Sequence, residues 1–253
     1  MPAKVDFAYF SFTEITDPAE HASYNEWHLL DHMPENLALP GIAWGQRWVA
    51  APELEALDAQ DPLGGVHYVT AYLMTEPAEH TLGEFMGLGQ RLRSLGRFHR
   101  HRRAVLGGPF RLVKCYAAPR ALVAPDAVPY RPHRGVLVTV ADVVEPGRSD
   151  EVGRWLDDVH LPDLVSVPGV AGAWWFQAMP DAASTLPTNP PSRSVQVCWL
   201  DGDPADVARD MQERLDTWRA QGRAPFGPST WRVLLRRPLA TIDPQGRFDW
   251  FTR

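Results

Sequence analysis

The sequence predicts an α+β protein made of two successive βαββαβ units, and three observations carry that prediction. The first is an internal repeat. Shifted from Trp27 to Trp155, positions 7–48 lie on positions 135–176 without a gap, and Pro18, His32, Pro34, Pro40, Gly41 and Ala43 meet Pro146, His160, Pro162, Pro168, Gly169 and Ala171. The second is the form of those identities, W-x4-H-x-P-x5-P-G, which occurs twice in one chain. The third is the alternation of aromatic and β-branched runs with helix-spaced runs, in the order strand, helix, strand, strand, helix, strand in each copy.

In the first copy Val5–Ile15 has strand composition, and Asp17-Pro18-Ala19-Glu20 supplies a helix cap followed by proline at the first helical position. The helix is predicted to run to about Asp31, with Pro34 breaking or restarting it because proline lacks the N–H and crowds the preceding turn. Ile42–Ala51 and Gly65–Thr75 read as strands, separated by a polar insertion. Leu82, Phe85, Met86, Leu92 and Leu95 keep helical spacing, and Phe110–Ala118 reads as the fourth strand. Gly83, Gly87 and Gly89 within that helix predict close packing on the sheet. In the second copy the strands are Arg134–Val144, Val170–Ala178, Ser194–Leu200 and Thr230–Leu235, and the helices are Ser149–Val159 and Pro204–Trp218 behind an Asp203 cap. Residues 1–118 and 134–239 are thus the two units, 119–133 a Pro-punctuated linker and 240–253 a tail. The tail's Phe248, Trp250 and Phe251 call for docking on the body or on a partner.

Composition bounds the function. Lys and Arg number 25 against 31 Asp and Glu, a net charge of −6 that offers nucleic acid no basic face. No apolar run is long enough to span a membrane, and the opening residues lack a secretory pattern, so a cytoplasmic protein is expected. The two cysteines, Cys115 and Cys198, are too few for a disulfide scaffold or a Cys-based zinc site. Between Arg91 and Arg103 stand six arginines, two histidines and no acid. That stretch reads as a solvated helix end or, more sharply, as a means of capturing a carboxylate or phosphate.

Each half resembles the dimeric α+β barrel superfamily, and the W-x4-H-x-P-x5-P-G motif at 27–41 and 155–169 is most similar to its EthD-like members. The resemblance implies two ferredoxin-like units closing into one barrel, supplied here by a single chain. It also implies a ligand cavity between helices and sheet, and it raises haem, which several of its families bind.

The repeat itself points to the first half as the site. Where the second copy places Val152, Trp155, Leu156 and Val159 on one helix face, the first has Tyr24, Trp27, His28 and Asp31. Buried polar groups are costly unless paired, so this difference calls for a reason. His32 and His28 are the candidate proton-transfer residues, with Asp31 orienting an imidazole. Tyr24, Trp27, Tyr72, Tyr9 and Trp48 are the candidate substrate-binding residues. His28-x3-His32 with Glu35 makes no convincing metal site, and no metal or organic cofactor is predicted. The expected function is a cofactor-free isomerase, lyase or cyclase acting by proton transfer on a small, largely apolar, oxygenated substrate. The alternatives are a non-catalytic ligand-binding or stress-associated barrel, and a cofactor-independent monooxygenase or haem-binding barrel. The tail aromatics and a sheet edge leave room for a homodimer.

Overall fold

The computed structural model describes residues 4–180, 189–243 and 248–251. The first unit runs β1 (Phe7–Ile15), α1 (His21–Trp27), α2 (Met33–Leu37), β2 (Ile42–Val49), the short β3 (Asp58–Ala59), β4 (Tyr68–Met74), α3 (Ala78–Ser94) and β5 (Arg102–Ala117). The second runs β6 (Gly135–Val143), α4 (Ser149–Trp155), α5 (Leu161–Val165), β7 (Val170–Ala178), β8 (Arg193–Leu200), α6 (Pro204–Ala220) and β9 (Trp231–Thr241). Asp203 caps α6 through a bond from the Ala205 amide, and Asp17 caps the short 3-10 turn Pro18–Glu20 that leads into α1 through a bond from the Ala19 amide.

All strand pairings are antiparallel. The order is β2-β4-β1-β5-β7-β8-β6-β9, and pairing of Trp48 with Thr241 and Val49 with Ala240 returns β9 to β2, closing a barrel. Two strands exceed their predicted lengths for one reason. β5 pairs with β1 at its start and β7 at its end, and β9 serves β6, β3 and β2, so both are joints between units. Gly107, Gly108 and Pro109 concealed the β5 extension from a composition reading.

Alternation sends one face of every strand inward. Phe10, Phe12, Trp48, Val69, Phe110, Val138, Trp174, Phe176, Val197 and Trp199 fill the barrel interior. The opposite faces meet the helices. In the second unit this outer layer is one continuous apolar cluster, from Leu137 and Val152 through Trp155, Leu156 and Trp175 to Met211 and Trp231. In the first it falls into two clusters, one around Phe7, Met33, Met74 and Phe85, the other around Ile15, Tyr24, Val49 and Tyr68. The gap between them is the cavity described below.

One expectation about the helices is met and one is corrected. The helix restarts at Pro34, which stands in the first turn of α2. It widens into a π-helical turn over His28–His32, with the Met33 amide bonding the His28 carbonyl, and resumes as α2. The extra residue per turn relieves the clash that proline imposes on a regular helix. The same turn recurs at Leu156–His160. The α3 glycines do not mark close packing, because a Cβ at Gly83 or Gly89 would have nothing within 4 Å, and Leu95 is exposed.

Candidate functional site

A cavity of about 270 Å³ lies between the helices and sheet of the first unit. Its floor is the outer face of β1 and β4. Register places Tyr9 beside Tyr72 and Ser11 beside Thr70, and these four with Thr13 line the cavity. His28, His32 and Asn36 enter from the α1–α2 segment, and Phe85, Met86, Gly89, Gln90 and Arg93 from α3. Phe98, Arg102 and Ala104 complete the wall.

Local structure explains how two histidines reach one space. In the π-helical turn His28 and His32 stay on one side, their rings 5.1 Å apart and nearly perpendicular. Trp27 stacks on His32 at 4.7 Å and donates its indole N–H to the Arg97 carbonyl. Trp155 repeats the arrangement, stacked on His160 at 4.6 Å and bonded to the Arg223 carbonyl. There the resemblance stops. His160 is sealed against Trp231, whereas His32 faces the cavity.

Electrostatics at the site favour negative charge. Burial lowers the His28 and His32 pKa values, His32 to about 3, and the Arg47 and Arg102 charges push both further down. Both imidazoles are therefore neutral near pH 7, and the Nδ1 atom of each is buried without a partner among the described residues. Burial raises the Tyr72 and Tyr9 pKa values, so both phenols stay protonated and able to donate. The cavity wall contains no Asp or Glu.

Of the sequence candidates, His28, His32, Tyr9 and Tyr72 line the cavity. The others are placed elsewhere. Asp31 orients no imidazole, because it is about two-fifths exposed and pairs with Arg97, which also binds Glu35 at 2.7 Å. Trp27 acts as the backing of His32. Tyr24 is buried behind the wall, under the Arg47 guanidinium at 5.0 Å. Trp48 points into the barrel, where it packs on Trp199 at 5.7 Å, because strand alternation turns its neighbour Arg47 toward the helices instead. The Arg91–Arg103 stretch divides: Arg97 and Arg103 pair with acids, while Arg93 and Arg102 line the cavity. Sequence reasoning named neither of these two individually. It also missed Arg47, although extending the repeat comparison from helix to strands would have set Arg47 against Trp175.

No protein-family model and no curated relative matches the sequence. Solved structures do match its fold. An anthrone oxidase-like protein superposes with a TM-score of 0.54 at 12% identity, over 94% of this chain and 92% of its own. A dye-decolorizing peroxidase from Bacteroides thetaiotaomicron gives 0.56 at 8% identity, over 98% and 94%. An encapsulated DyP-type peroxidase from Mycobacterium smegmatis gives 0.53 at 11%, over 98% and 94%. The fold is that of the dimeric α+β barrels. No helix among the described residues is long and apolar enough to cross a membrane.

These neighbours overturn two expectations. They carry oxidase and peroxidase names, which match the oxidative alternative and not the proton-transfer isomerase, lyase or cyclase. The site agrees, because an imidazole whose pKa lies near 3 is poorly matched to general-base work near neutrality. The cofactor-free expectation is overturned with it, since the peroxidase neighbours belong with the haem-binding reading. The cavity walls do not suit haem. Neutral imidazoles are suitable ligands, but 270 Å³ lies just below the usual span of ligand pockets (~300–1,000 Å³). A tetrapyrrole macrocycle needs the large end and does not fit within these walls.

Proposed function

We propose that the protein is an oxidative enzyme, of oxidase or monooxygenase type, acting on a small oxygenated aromatic molecule in the first-unit cavity. One observation carries the reading: the hydroxyls of Tyr9, Ser11, Thr70 and Tyr72 and the imidazoles of His28 and His32 share one cavity with an apolar wall of Phe85, Met86 and Phe98. A flat ligand bearing oxygens on one edge matches both surfaces. Tyr9 and Tyr72 donate to those oxygens and stabilise the ring anion left when the substrate loses its proton to solvent. Dioxygen takes the electrons, leaving as hydrogen peroxide in the oxidase case or as water after one oxygen atom is kept in the monooxygenase case. The oxidase and peroxidase names of the fold neighbours support the same class.

In this reading the chain is an EthD-like barrel pair derived by tandem duplication, with units at 1–118 and 134–239 and one surviving site. The repeated motif and the paired Trp–His stacks support that origin. A homodimer is compatible with it and adds nothing to the cavity, whose lining comes from the first unit alone. A cytoplasmic location accords with the two free thiols.

The test is oxygen uptake with anthrone and hydroxynaphthalenes, taken beside an absorbance spectrum of the purified protein and a heat-denatured control. Protein-dependent uptake is expected, falling roughly tenfold or more in Tyr72→Phe and in His28→Phe with the melting temperature retained. No uptake above the denatured control sinks the proposal. A Soret band in the purified protein leaves the oxidative class standing and overturns the exclusion of a macrocycle from the cavity.

A further inference from the structure

The cations around the cavity are divided into those already neutralised and those left over. Among the described residues, the nearby acids are committed elsewhere: Glu14 to Arg103, Asp31 and Glu35 to Arg97, while Glu20 accepts from the Ser23 hydroxyl. Three arginines remain with no carboxylate within ion-pair distance among the described residues. Arg93 and Arg102 line the cavity, their guanidiniums 5.6 and 4.9 Å from the centre of the Phe98 ring. Arg47 stands behind the floor. It is 1% exposed, its strand partner Thr70 lines the cavity, and of its guanidinium nitrogens only Nη2 has a partner, the Asn25 side chain at 3.0 Å. A buried cation without a counter-ion is costly, and the second unit avoids that cost by placing Trp175 where the first has Arg47. A wall with no acid, two neutral imidazoles, the solvent-exposed Arg93 and the half-buried Arg102, backed by the buried Arg47, is complementary to an anion.

Resting on the reading of this cavity as the substrate site, we propose that its substrate is an oxygenated aromatic carboxylic acid bound as the anion. The carboxylate lies at the Arg93–Arg102 end, where guanidinium forks suit two oxygens. The ring lies against Phe98, Phe85 and Met86, and its hydroxyl or keto oxygen reaches Tyr72 on the floor and His28 on the helical side. Arg47 contributes its charge from behind, without contact. Arg93 and Arg102 are then the residues that determine specificity.

Calorimetric titration of the purified protein with 1-hydroxy-2-naphthoate and with 1-naphthol tests this, because the two probes differ only by the carboxylate. The naphthoate is expected to bind roughly tenfold or more tightly than the naphthol. Arg102→Gln and Arg93→Gln are each expected to shrink that ratio toward unity while leaving naphthol binding nearly unchanged. Arg91→Gln, on the same helix but outside the cavity wall, keeps the ratio. Equal affinities in the native protein overturn the proposal, as does a preference that survives both cavity substitutions or a failure of the naphthoate to bind. The outcome is separable from the oxidative reading. A carboxylate preference without oxygen uptake upholds this inference and sinks that one, whereas uptake with naphthol at equal affinity does the reverse.

Discussion

His32 and His160 hold the same place beside a stacked tryptophan, and what surrounds each ring sets what its removal costs. His160 is enclosed by Trp155 and Trp231, so His160→Ala leaves a void and is expected to cost ~2–4 kcal/mol by denaturant unfolding. His32→Ala only enlarges a space already present, and a cost of ~1 kcal/mol or less is expected. Equal losses would show His32 to be a packing residue. Asp31→Val removes one partner of a half-exposed pair while Arg97 keeps Glu35. An unchanged melting temperature and unchanged turnover are expected, and a large loss of either would restore Asp31 to the site.

The same histidines set a pH dependence. Burial lowers the pKa of His32 and His160 from 6.5 to about 3, and that of His21 to about 4. Below pH 6.5 the unfolded chain takes up protons that the folded chain refuses, so the unfolded state is favoured. Stability is therefore full above about 6.5 and falls as pH drops toward 3–4. Melting curves between pH 7.5 and 4.5 should show this, with a shallower slope in His160→Gln. A flat profile would mean that the rings are not buried as described.

Among the elements, the turns after α2 and α5 depend on glycine in both units. Gly41 and Gly169 have φ of +83° and +84°, and a Cβ there would lie 2.3 Å from the Thr81 hydroxyl or 2.4 Å from Val207. Both left-handed backbone and collision oppose a side chain, so Gly41→Ala and Gly169→Ala should each cost ~2 kcal/mol or more. Gly83 is the contrasting case. It is exposed inside α3 with open space around it, and Gly83→Ala is expected to add ~0.5–1 kcal/mol by helix propensity. Thermal unfolding of the three variants separates the two mechanisms, and a destabilised Gly83→Ala would mean that α3 packs more closely than the structure shows. The Pro-Gly pairs were readable in advance as segment ends. The π-helical turn was not, because Pro34 signals only that regular helix cannot continue, and either a break or a widened turn relieves the same clash.

At the scale of the whole molecule, one chain closes the barrel by pairing β9 with β2. The tail then covers what the closure leaves open. Phe251 stacks on His21 at 4.1 Å and touches His67, while Phe248 and Trp250 join the cluster around Tyr24 and Tyr68. Truncation after Ile242 is expected to lower the melting temperature by several degrees without abolishing folding, since the barrel interior is untouched. An unaltered transition would show that the tail contributes nothing. The outer layer is one apolar cluster over the second unit and two over the first, and the second unit's own hollow, beside Val152, Leu156 and Trp175, has no histidine or tyrosine in its lining. That difference has a residue-level source: Leu137, Leu156, Cys198 and Trp175 stand where the first unit has Tyr9, His28, Tyr72 and Arg47.

The two-unit α+β architecture, the helix caps and the half of the chain that departs from apolar packing are all legible in the order of residues. Each of these follows from periodicity, turn chemistry or internal comparison, which are local properties. Tertiary structure alone decided which strand face meets the helices, and hence that Tyr9 and Tyr72 enter the cavity while Trp48 does not. It also decided that Asp31 turns to Arg97, and that Arg93 and Arg102 face inward while Arg97 and Arg103 are neutralised. Those outcomes depend on which distant charges and faces the closed barrel brings together, and charge pairing across sixty or more positions leaves no periodic trace in a single sequence.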